Sequence, residues 1–281
     1  MGTAVIAGLW MAGLLRSLAP VPVGALPHGP VAVDTPTVRL DAAQLAQRLA
    51  DAGDTGTPDL GGVDLSGLDL SGVDFKRANL TGARLAGTQL AGANLFSCDL
   101  TDAVASDAVL TRENLDGTVL RRADFRRANF EGSSLFATIL EQTNLAGANL
   151  AGTRIIGYLR SANLSGASLR ESNAGADPGN QSMGVMRAAF VGANLSGADL
   201  SGANLYKADF SHADLTGARL TGANLENADL VQTDFGRSDL TGARLAKSNI
   251  EGANFRGATG VSRIQGLDQA RNRDKALFDD K

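Results

Sequence analysis

Leucine or phenylalanine recurs at almost every fifth residue of the chain from Leu60 to Phe255. The segment Gly192–Leu200 shows the unit, in which a small residue, Asn or Asp, Leu, a small polar residue and Gly follow one another. A period of five matches neither the stripe of an amphipathic helix nor the alternation of a half-buried strand. It predicts a chain that turns a corner every five residues and stacks on itself, because one coil alone cannot bury its leucines.

These units resemble the repeats of the pentapeptide-repeat family, and the resemblance covers most of the chain. It implies an all-β fold, a right-handed four-sided parallel β-helix. In that fold the Leu or Phe (the central residue) and the residue two before it (the inner small residue) point inward. The other three positions point outward, and they carry nearly all the charge. Coils paired like strands lie about 4.8 Å apart, so we expect a rod of about nine to ten coils.

The register of the units predicts the domain organisation. The repeats lose one residue before Leu159 and resume at Phe190 after a stretch that obeys no five-residue rule. We therefore expect β-helix over residues 59–174 and 188–258, with a projecting loop over residues 175–187 between the two parts.

The predicted loop interrupts a regular scaffold, and such loops often carry function. Met183 and Met186 are apolar residues in a segment otherwise rich in Gly, Asn and Pro, so they are candidate contacts for a partner protein. A tolerated insertion that packs back on the wall is the alternative. A second irregularity lies at residues 101–114, where Glu113 occupies an inner small position. Because a buried, unpaired carboxylate is costly, we expect a local bulge that turns Glu113 outward.

Both ends of a solenoid expose unpaired strand edges and need covering. In the N-terminal cap, residues 34–58, Asp41 and Gln44 have the spacing of a capping box and predict a short helix. In the C-terminal segment, residues 259–281, an apolar stripe predicts a second helix over residues 267–280. That second helix serves either as a lid or as the contact of a homodimer.

Residues 1–33 form an apolar, Pro-rich leader in which Arg16 is the only Lys or Arg. The uncharged run to Leu15 has the length of a signal-peptide core and is short for a membrane span. No Lys or Arg precedes that run, although secretory signals usually begin with a positive charge. A signal peptide, a membrane anchor and a misassigned start codon all stay open. Export or membrane attachment is favoured over a cytoplasmic location.

Composition gives no support for catalysis. The chain has 281 residues, a net charge of −4 and two histidines, His28 and His212, neither of which has the companions that a metal site requires. The sequence also lacks a nucleophile–base arrangement and a phosphate-binding glycine loop. We expect a non-enzymatic protein, from a bacterial source, without catalytic, metal or cofactor sites. Cys98 is the only cysteine, and it falls at an inner small position where we expect it to pack in the core.

Four arginines form a predicted basic corner on two adjoining walls of one coil, since Arg121, Arg122, Arg126 and Arg127 all occupy outward positions. On a chain of net charge −4, one such patch is usually a solvated or salt-bridged face. The corner is therefore a candidate contact for a protein partner, and we expect no direct binding of nucleic acid.

Acidic residues stack on other walls. Asp209 and Asp229 are predicted to lie on one wall, and Asp214 and Asp234 on the next. The family resemblance implies a matching function, because some members mimic DNA and bind a type II DNA topoisomerase such as gyrase. The alternative is that Asp and Asn precede the central residue for turn reasons alone. Duplex DNA carries one negative charge about every 1.7 Å, so a net charge of −4 is small for a mimic of it.

The sequence as a whole favours a scaffold that binds an unidentified protein or an envelope component. Its candidate surfaces are the basic corner, the loop and the outward aromatic residues Phe96, Phe136 and Tyr206. DNA mimicry toward gyrase is the alternative function.

Overall fold

The computed structural model describes residues 37–53, 56–176 and 186–279. Two predictions fall outside these residues, the leader over residues 1–33 and the placement of Met183. The described chain forms a solenoid in which a bridging residue recurs at every fifth position and pairs in parallel with the residue one coil further on. Asp59, Asn79 and Asp99 form one such column, and the usual offset along a column is 20 residues. Four five-residue segments therefore complete each coil.

Each segment ends in a tight turn that follows the central residue. In the segment of Leu215, the N–H of Ala218 donates to the Leu215 carbonyl (3.1 Å), and Gly217 between them has a φ of 65°. A positive φ is disfavoured for residues with a Cβ, which explains why Gly closes so many of the units. The N–H of Gly217 points along the solenoid and donates to the carbonyl of Gly236 in the next coil (2.8 Å).

The core is a continuous column inside the coils. Central residues such as Phe190 and Phe210 are fully buried, and their rings stack with centroids 4.6 Å apart. Where the inner small residue is Thr, its hydroxyl usually donates to a carbonyl of the preceding coil, as Thr118 Oγ1 does to Leu95 O (3.0 Å). Cys98 is buried as predicted, and its burial raises the pKa of the thiol to about 12.

The missing residue before Leu159 is absorbed by two short paired strands, β1 (Ser134–Ile139) and β2 (Arg154–Tyr158). Phe136 pairs with Ile156 and Thr138 with Gly157, so Ala137 is left without a partner in the register and adopts a φ of 57°. A Cβ on Gly157 would lie 2.3 Å from the Thr138 carbonyl oxygen, so only Gly fits at this close approach.

The insertion does not disturb the register. Tyr158 pairs with Ala189, and the Leu159 N–H donates to the Ala189 carbonyl (2.8 Å), which places Phe190 above Leu159. The column that begins at Leu60 therefore continues through Phe190.

The N-terminal helix forms where the capping box predicts it, as α1 (Ala42–Asp51). Asp41 Oδ1 accepts from the Gln44 N–H (2.8 Å), and Gln44 Oε1 accepts from the Asp41 N–H (2.9 Å). Leu45 and Leu49 are buried and belong to the same core as the leucines of the coils, so the helix extends the core at the N-terminal end.

The predicted C-terminal helix over residues 267–280 is wrong. The chain instead continues the solenoid with six-residue segments that contain the 3₁₀ turns Val261–Arg263, Leu267–Gln269 and Arg273–Lys275. Gln265, Arg271 and Leu277 bridge to the coil before them. A helix would leave the backbone groups of that coil without partners, whereas the six-residue segments satisfy them. Of the apolar side chains that suggested the helix, Leu267, Ala270 and Phe278 pack against the core, and Phe278 stacks on Phe255 with centroids 5.0 Å apart. Leu277 instead faces outward and is 43% exposed.

Candidate interaction surface

One wall of the solenoid carries most of the departures from the repeat. Its bridging column runs from Asp74 through Asn114 and Arg154 to Arg244. The residue two after each bridging residue lies outward in the turn, and in this column it is often large and apolar. In chain order these turn residues include Lys76, Phe96, Asp116, Phe136, Ile156, Tyr206 and Glu226. We call this face the aromatic wall, because it unites the three outward aromatic residues that the sequence shows only as scattered positions.

The aromatic side chains differ in exposure. Phe96 is 43% exposed, whereas Phe136 and Tyr206 are partly exposed. The guanidinium of Arg154 lies over the Phe136 ring at 4.2 Å, and the ammonium of Lys207 lies 5.3 Å from the Tyr206 ring centroid. Ile156 occupies the same outward position but is only 2% exposed, and it does not belong to the continuous core. At Ile156 the wall therefore offers almost no apolar surface to solvent. The wall therefore combines apolar surface with cations that lie on or beside the rings.

Glu113 belongs to the same wall, and the prediction that a bulge turns it outward is wrong. Asn114 keeps the register with Asn94 and Ser134, and Glu113 points inward with 4% of its surface exposed. Its carboxylate is not unpaired, because it accepts a hydrogen bond from the Gly92 N–H of the preceding coil. Burial raises the pKa of Glu113, and the bond from Gly92 opposes that shift.

The Glu113 carboxylate takes the place of a bond between coils. One coil before Gly92 and in the same column as it, the Gly72 N–H donates to the Ala91 carbonyl (2.9 Å), whereas the Gly92 N–H donates to Glu113. Among the described residues, no backbone bond joins the Asn114 N–H to the Ala93 carbonyl, although that bond forms at most equivalent positions. The coil junction at Glu113 therefore has fewer backbone hydrogen bonds than its neighbours.

The predicted basic corner forms, but its charges are balanced. Arg122 pairs with Asp102 (2.5 Å) and Arg127 with Asp107 (2.6 Å), each reaching back one coil. Hydrogen bonds to these carboxylates raise the pKa of both arginines. The remaining two arginines are also paired, Arg121 with Glu141 (3.0 Å) and Arg126 with Asp124 (2.7 Å). The corner is a network of surface ion pairs.

The acidic columns also form in the predicted register, with Asp209 above Asp229 and Asp214 above Asp234 as bridging neighbours. Arg187 is placed between the first two carboxylates, at 3.2 Å from Asp209 and 2.8 Å from Asp229. The other column serves the turns: Asp214 Oδ1 accepts from the Thr216 N–H, and Asp234 Oδ1 accepts from the Gly236 N–H, each at 2.8 Å.

Of the loop predicted over residues 175–187, the structure describes only the two flanks. The chain leaves the aromatic wall after Ala176, whose N–H still donates to the Tyr206 carbonyl (2.8 Å). It returns with Met186 and Arg187, both partly buried. The insertion thus starts on the wall that carries the outward aromatic residues.

Neither metal chemistry nor a membrane span is indicated in the part of the chain that the structure describes. No group of three or more His, Cys, Asp or Glu side chains there has a geometry that suits a metal ion. The helices in those ranges include none with the length and apolar character needed to cross a bilayer.

The pattern of coils and inner residues agrees with the family-model comparison. The model described as pentapeptide repeats matches eight copies over residues 59–95, 98–135, 186–222 and 218–257. The chain belongs to the pentapeptide-repeat family. Membership implies a right-handed β-helix and a class of proteins that generally serve structural and interaction roles.

Solved structures of pentapeptide-repeat proteins are similar to this one. HetL, a protein involved in heterocyst differentiation regulation from the cyanobacterium Nostoc sp. strain PCC 7120, is 30% identical, with 85% of this chain and 94% of HetL covered and a TM-score of 0.41. QnrB1, a plasmid-mediated fluoroquinolone resistance protein, is 16% identical over 77% of this chain and 94% of its own, with a TM-score of 0.29. A protein of the Arabidopsis thaliana thylakoid lumen is 22% identical over 73% of this chain and 88% of its own, with a TM-score of 0.18. A search of curated proteins finds no match.

Proposed function

We propose that this family member is a non-enzymatic scaffold that binds a partner protein along the aromatic wall. The observation that carries the proposal is the alignment of Phe96, Phe136 and Tyr206 on a single wall. We take the β-helix to be four-sided, since four five-residue segments complete each coil, so each wall offers one flat face. Capping of the ends by α1 and by the last coil is part of the same proposal.

Physical chemistry supports a protein partner for this wall. Aromatic residues and Arg are enriched where protein interfaces are buried, and a few such residues usually supply most of the binding energy. Phe96 exposes 43% of its surface to solvent, and Arg154 and Lys207 lie beside the other two rings.

DNA mimicry toward a type II topoisomerase is the second candidate, and the aligned carboxylates of Asp209 and Asp229 favour it. Arg187 neutralises that pair, and Arg271 lies 3.7 Å from Asp229 as well. Arg219 separates Asp199 from Asp239 in a further acidic column. A wall with interleaved arginines does not reproduce the uniform negative charge of a duplex. We therefore expect no effect of the protein in a gyrase supercoiling assay, and inhibition or protection there would favour mimicry.

Export or membrane attachment through residues 1–33 also stays a proposal, and so does a homodimer at the C-terminal end. Without a C-terminal helix, the dimer contact would be made by the last coil, where Leu277 is 43% exposed. Fractionation with intact-mass measurement tests the first proposal, because a cleaved signal shortens the chain. Sedimentation of the full chain with and without Leu277→Ser tests the second.

Site-specific photo-crosslinking tests the scaffold. A photoreactive residue is placed at Phe96, Phe136 or Tyr206, and in matched variants at Thr101, Ala91 or Thr216, which occupy the equivalent turn position on the other three walls. In extracts of the source organism we expect a discrete crosslinked product from the aromatic wall alone. Equal labelling from all four walls, or from none, would contradict the proposal.

A further inference from the structure

The first turn of the aromatic wall has a backbone that the fold does not require. Lys76 and Arg77 have φ values of 50° and 60°, and they are the one pair of consecutive residues with positive φ among residues 37–53, 56–176 and 186–279. The other three turns of the same coil each use one glycine in the left-handed conformation. These are Gly62, Gly67 and Gly72. Two long charged residues in a conformation that L-residues avoid suggest a function for this turn, since such strain persists mostly at functional sites.

The turn also lacks a backbone bond that its neighbours form. In the next coils of this wall the Ser97 N–H donates to the Asp116 carbonyl (3.1 Å), and the Gly117 N–H donates to the Phe136 carbonyl (2.8 Å). The equivalent bond from the Arg77 N–H to the Phe96 carbonyl is not formed. The strained turn and the most exposed aromatic ring of the wall therefore meet at a junction where the coils are less tightly joined.

A hollow of about 580 Å³ opens at this junction. Its lining includes Arg77, Phe96, Asn94 and Asp74. The Asp74 carboxylate is already engaged, because its Oδ1 accepts from the Lys76 N–H and from Asn94 Nδ2, each at 3.0 Å. Arg77 is exposed and forms no ion pair with the residues that the structure describes. The hollow thus presents one available guanidinium next to a half-exposed ring.

From this geometry we infer that the hollow is a docking site for an acidic peptide segment of the partner, one that carries a large apolar or aromatic side chain beside its carboxylates. This inference rests on the proposed scaffold function and names the chemistry of the partner. A guanidinium binds a carboxylate through two parallel hydrogen bonds, and the Phe96 ring offers an apolar contact for the neighbouring side chain. A nucleic-acid backbone repeats its negative charge at every nucleotide and would meet Asp74 and Asp116 on the same wall, whereas a peptide can place a single carboxylate at Arg77.

The positive φ of Arg77 allows a variant that removes the guanidinium without destabilising the turn. Arg77→Gly removes the guanidinium and installs the residue that tolerates a positive φ, so the variant should melt no lower than the wild type. Arg237→Gly is the matched control, because Arg237 also has a positive φ (59°) and lies at a turn of a different wall. Phe96→Ser removes the ring and leaves a residue that is common at this outward position.

Random dodecapeptides displayed on phage are selected against the full chain, and the most enriched sequence is synthesised with a fluorescent label. We expect the enriched peptides to combine Asp or Glu with Phe, Tyr, Trp or Leu. By fluorescence polarisation, Arg77→Gly and Phe96→Ser should each raise the Kd about tenfold or more, whereas Arg237→Gly leaves it unchanged. Added salt should weaken the binding.

Three outcomes would contradict the inference that the hollow is a docking site for an acidic peptide. They are the absence of enrichment, enrichment of peptides without acidic residues, and binding that is insensitive to Arg77→Gly. If a labelled single-stranded DNA 20-mer binds and its binding depends on Arg77, the ligand of the hollow is nucleic acid and not an acidic peptide. The scaffold proposal is separable from these results. If crosslinks from Phe136 and Tyr206 persist in the Arg77→Gly variant, the wall still binds a partner while the hollow plays no part.

Discussion

The aromatic wall and the wall that starts at Asp69 are built on the same inner residues yet differ in their outer ones. Both columns bury their central residues almost completely, from Phe75 to Leu245 on one wall and from Leu70 to Leu240 on the other. Outside, the Asp69 wall keeps small polar residues in most turns, whereas the aromatic wall gathers rings, the residue deletion and the start of the insertion. The comparison teaches that two inward positions of each unit specify the coil and leave the other three open to change.

The largest expected effect is the difference in unfolding free energy between substituting an inward residue and substituting its outward neighbour. Leu135→Ala removes a side chain that is 1% exposed and should lower the free energy of unfolding by about 2–5 kcal/mol. Phe136→Ala removes the next, outward side chain and should lower it by less than about 1 kcal/mol. Urea unfolding followed by circular dichroism measures both. If the two variants lose similar stability, the division into inward and outward positions is wrong.

Glu113 is the exception to the division, because it is a charged residue at an inward position. In its column the inner residue is usually small, as with Ala93 and Ala203, so Glu113→Ala should let the Gly92 N–H return to the bond between coils. We expect a gain in unfolding free energy of about 1–3 kcal/mol at neutral pH.

The gain should depend on pH. Burial raises the pKa of Glu113, so the folded protein binds its proton more tightly than the unfolded chain does. Wild-type stability therefore falls as the pH rises from the ordinary glutamate value of 4.5 through the raised value. Melting temperatures measured across this range should show the Glu113→Ala advantage shrinking at low pH. Glu113→Gln keeps the shape without the charge and serves as the control; a destabilised Glu113→Ala would refute the account.

A smaller effect tests the turns themselves. Gly217 and Arg237 are stacked at one turn position in successive coils, with φ values of 65° and 59°. A Cβ on Gly217 would meet nothing within 4 Å, so Gly217→Ala reports the backbone cost alone and should destabilise by about 1 kcal/mol. Arg237→Gly should stabilise by a similar amount. Thermal unfolding of the pair, and of the double variant, checks the expected opposite signs.

The smallest effect is expected at the basic corner. Arg122 and Asp102 form a half-exposed ion pair, with 47% of each side chain in solvent. A double-mutant cycle with Arg122→Gln and Asp102→Asn should give a coupling energy below about 1 kcal/mol, and the coupling should decrease as salt is added. A coupling that survives high salt would mean that the corner stabilises the junction between coils more than an ordinary surface pair does.

Sequence reasoning succeeded where one local rule is repeated. The register, the burial of Cys98, the capping box of α1 and the return of the chain at Phe190 all follow from spacing that the structure reproduces. It failed where contacts with another coil changed which local structure is the more stable. The chain from Leu267 onward has an apolar stripe, but pairing with the previous coil satisfies more backbone groups than an isolated helix would.

Glu113 is the other failure of that kind. The cost of burying a carboxylate can be judged from sequence, but the Gly92 N–H that donates a hydrogen bond to it lies 21 residues away and belongs to another coil. The same limit applied to the candidate surfaces. The four arginines of the basic corner are visible in the sequence, whereas their pairing with Asp102 and Asp107 depends on which side chains face each other across coils.

The sequence by itself determined the coil, because nearly every unit repeats the same choice of a large apolar residue and a small residue at fixed spacing, and burial of those residues dominates the energetics. Only the tertiary structure decided what the outside of the coil presents. Outward residues that are neighbours on a wall are about 20 residues apart in the chain, and a single dropped residue or a bulge at Ala137 changes which of them align. The gathering of Phe96, Phe136 and Tyr206 on one wall is therefore a property of the stacking.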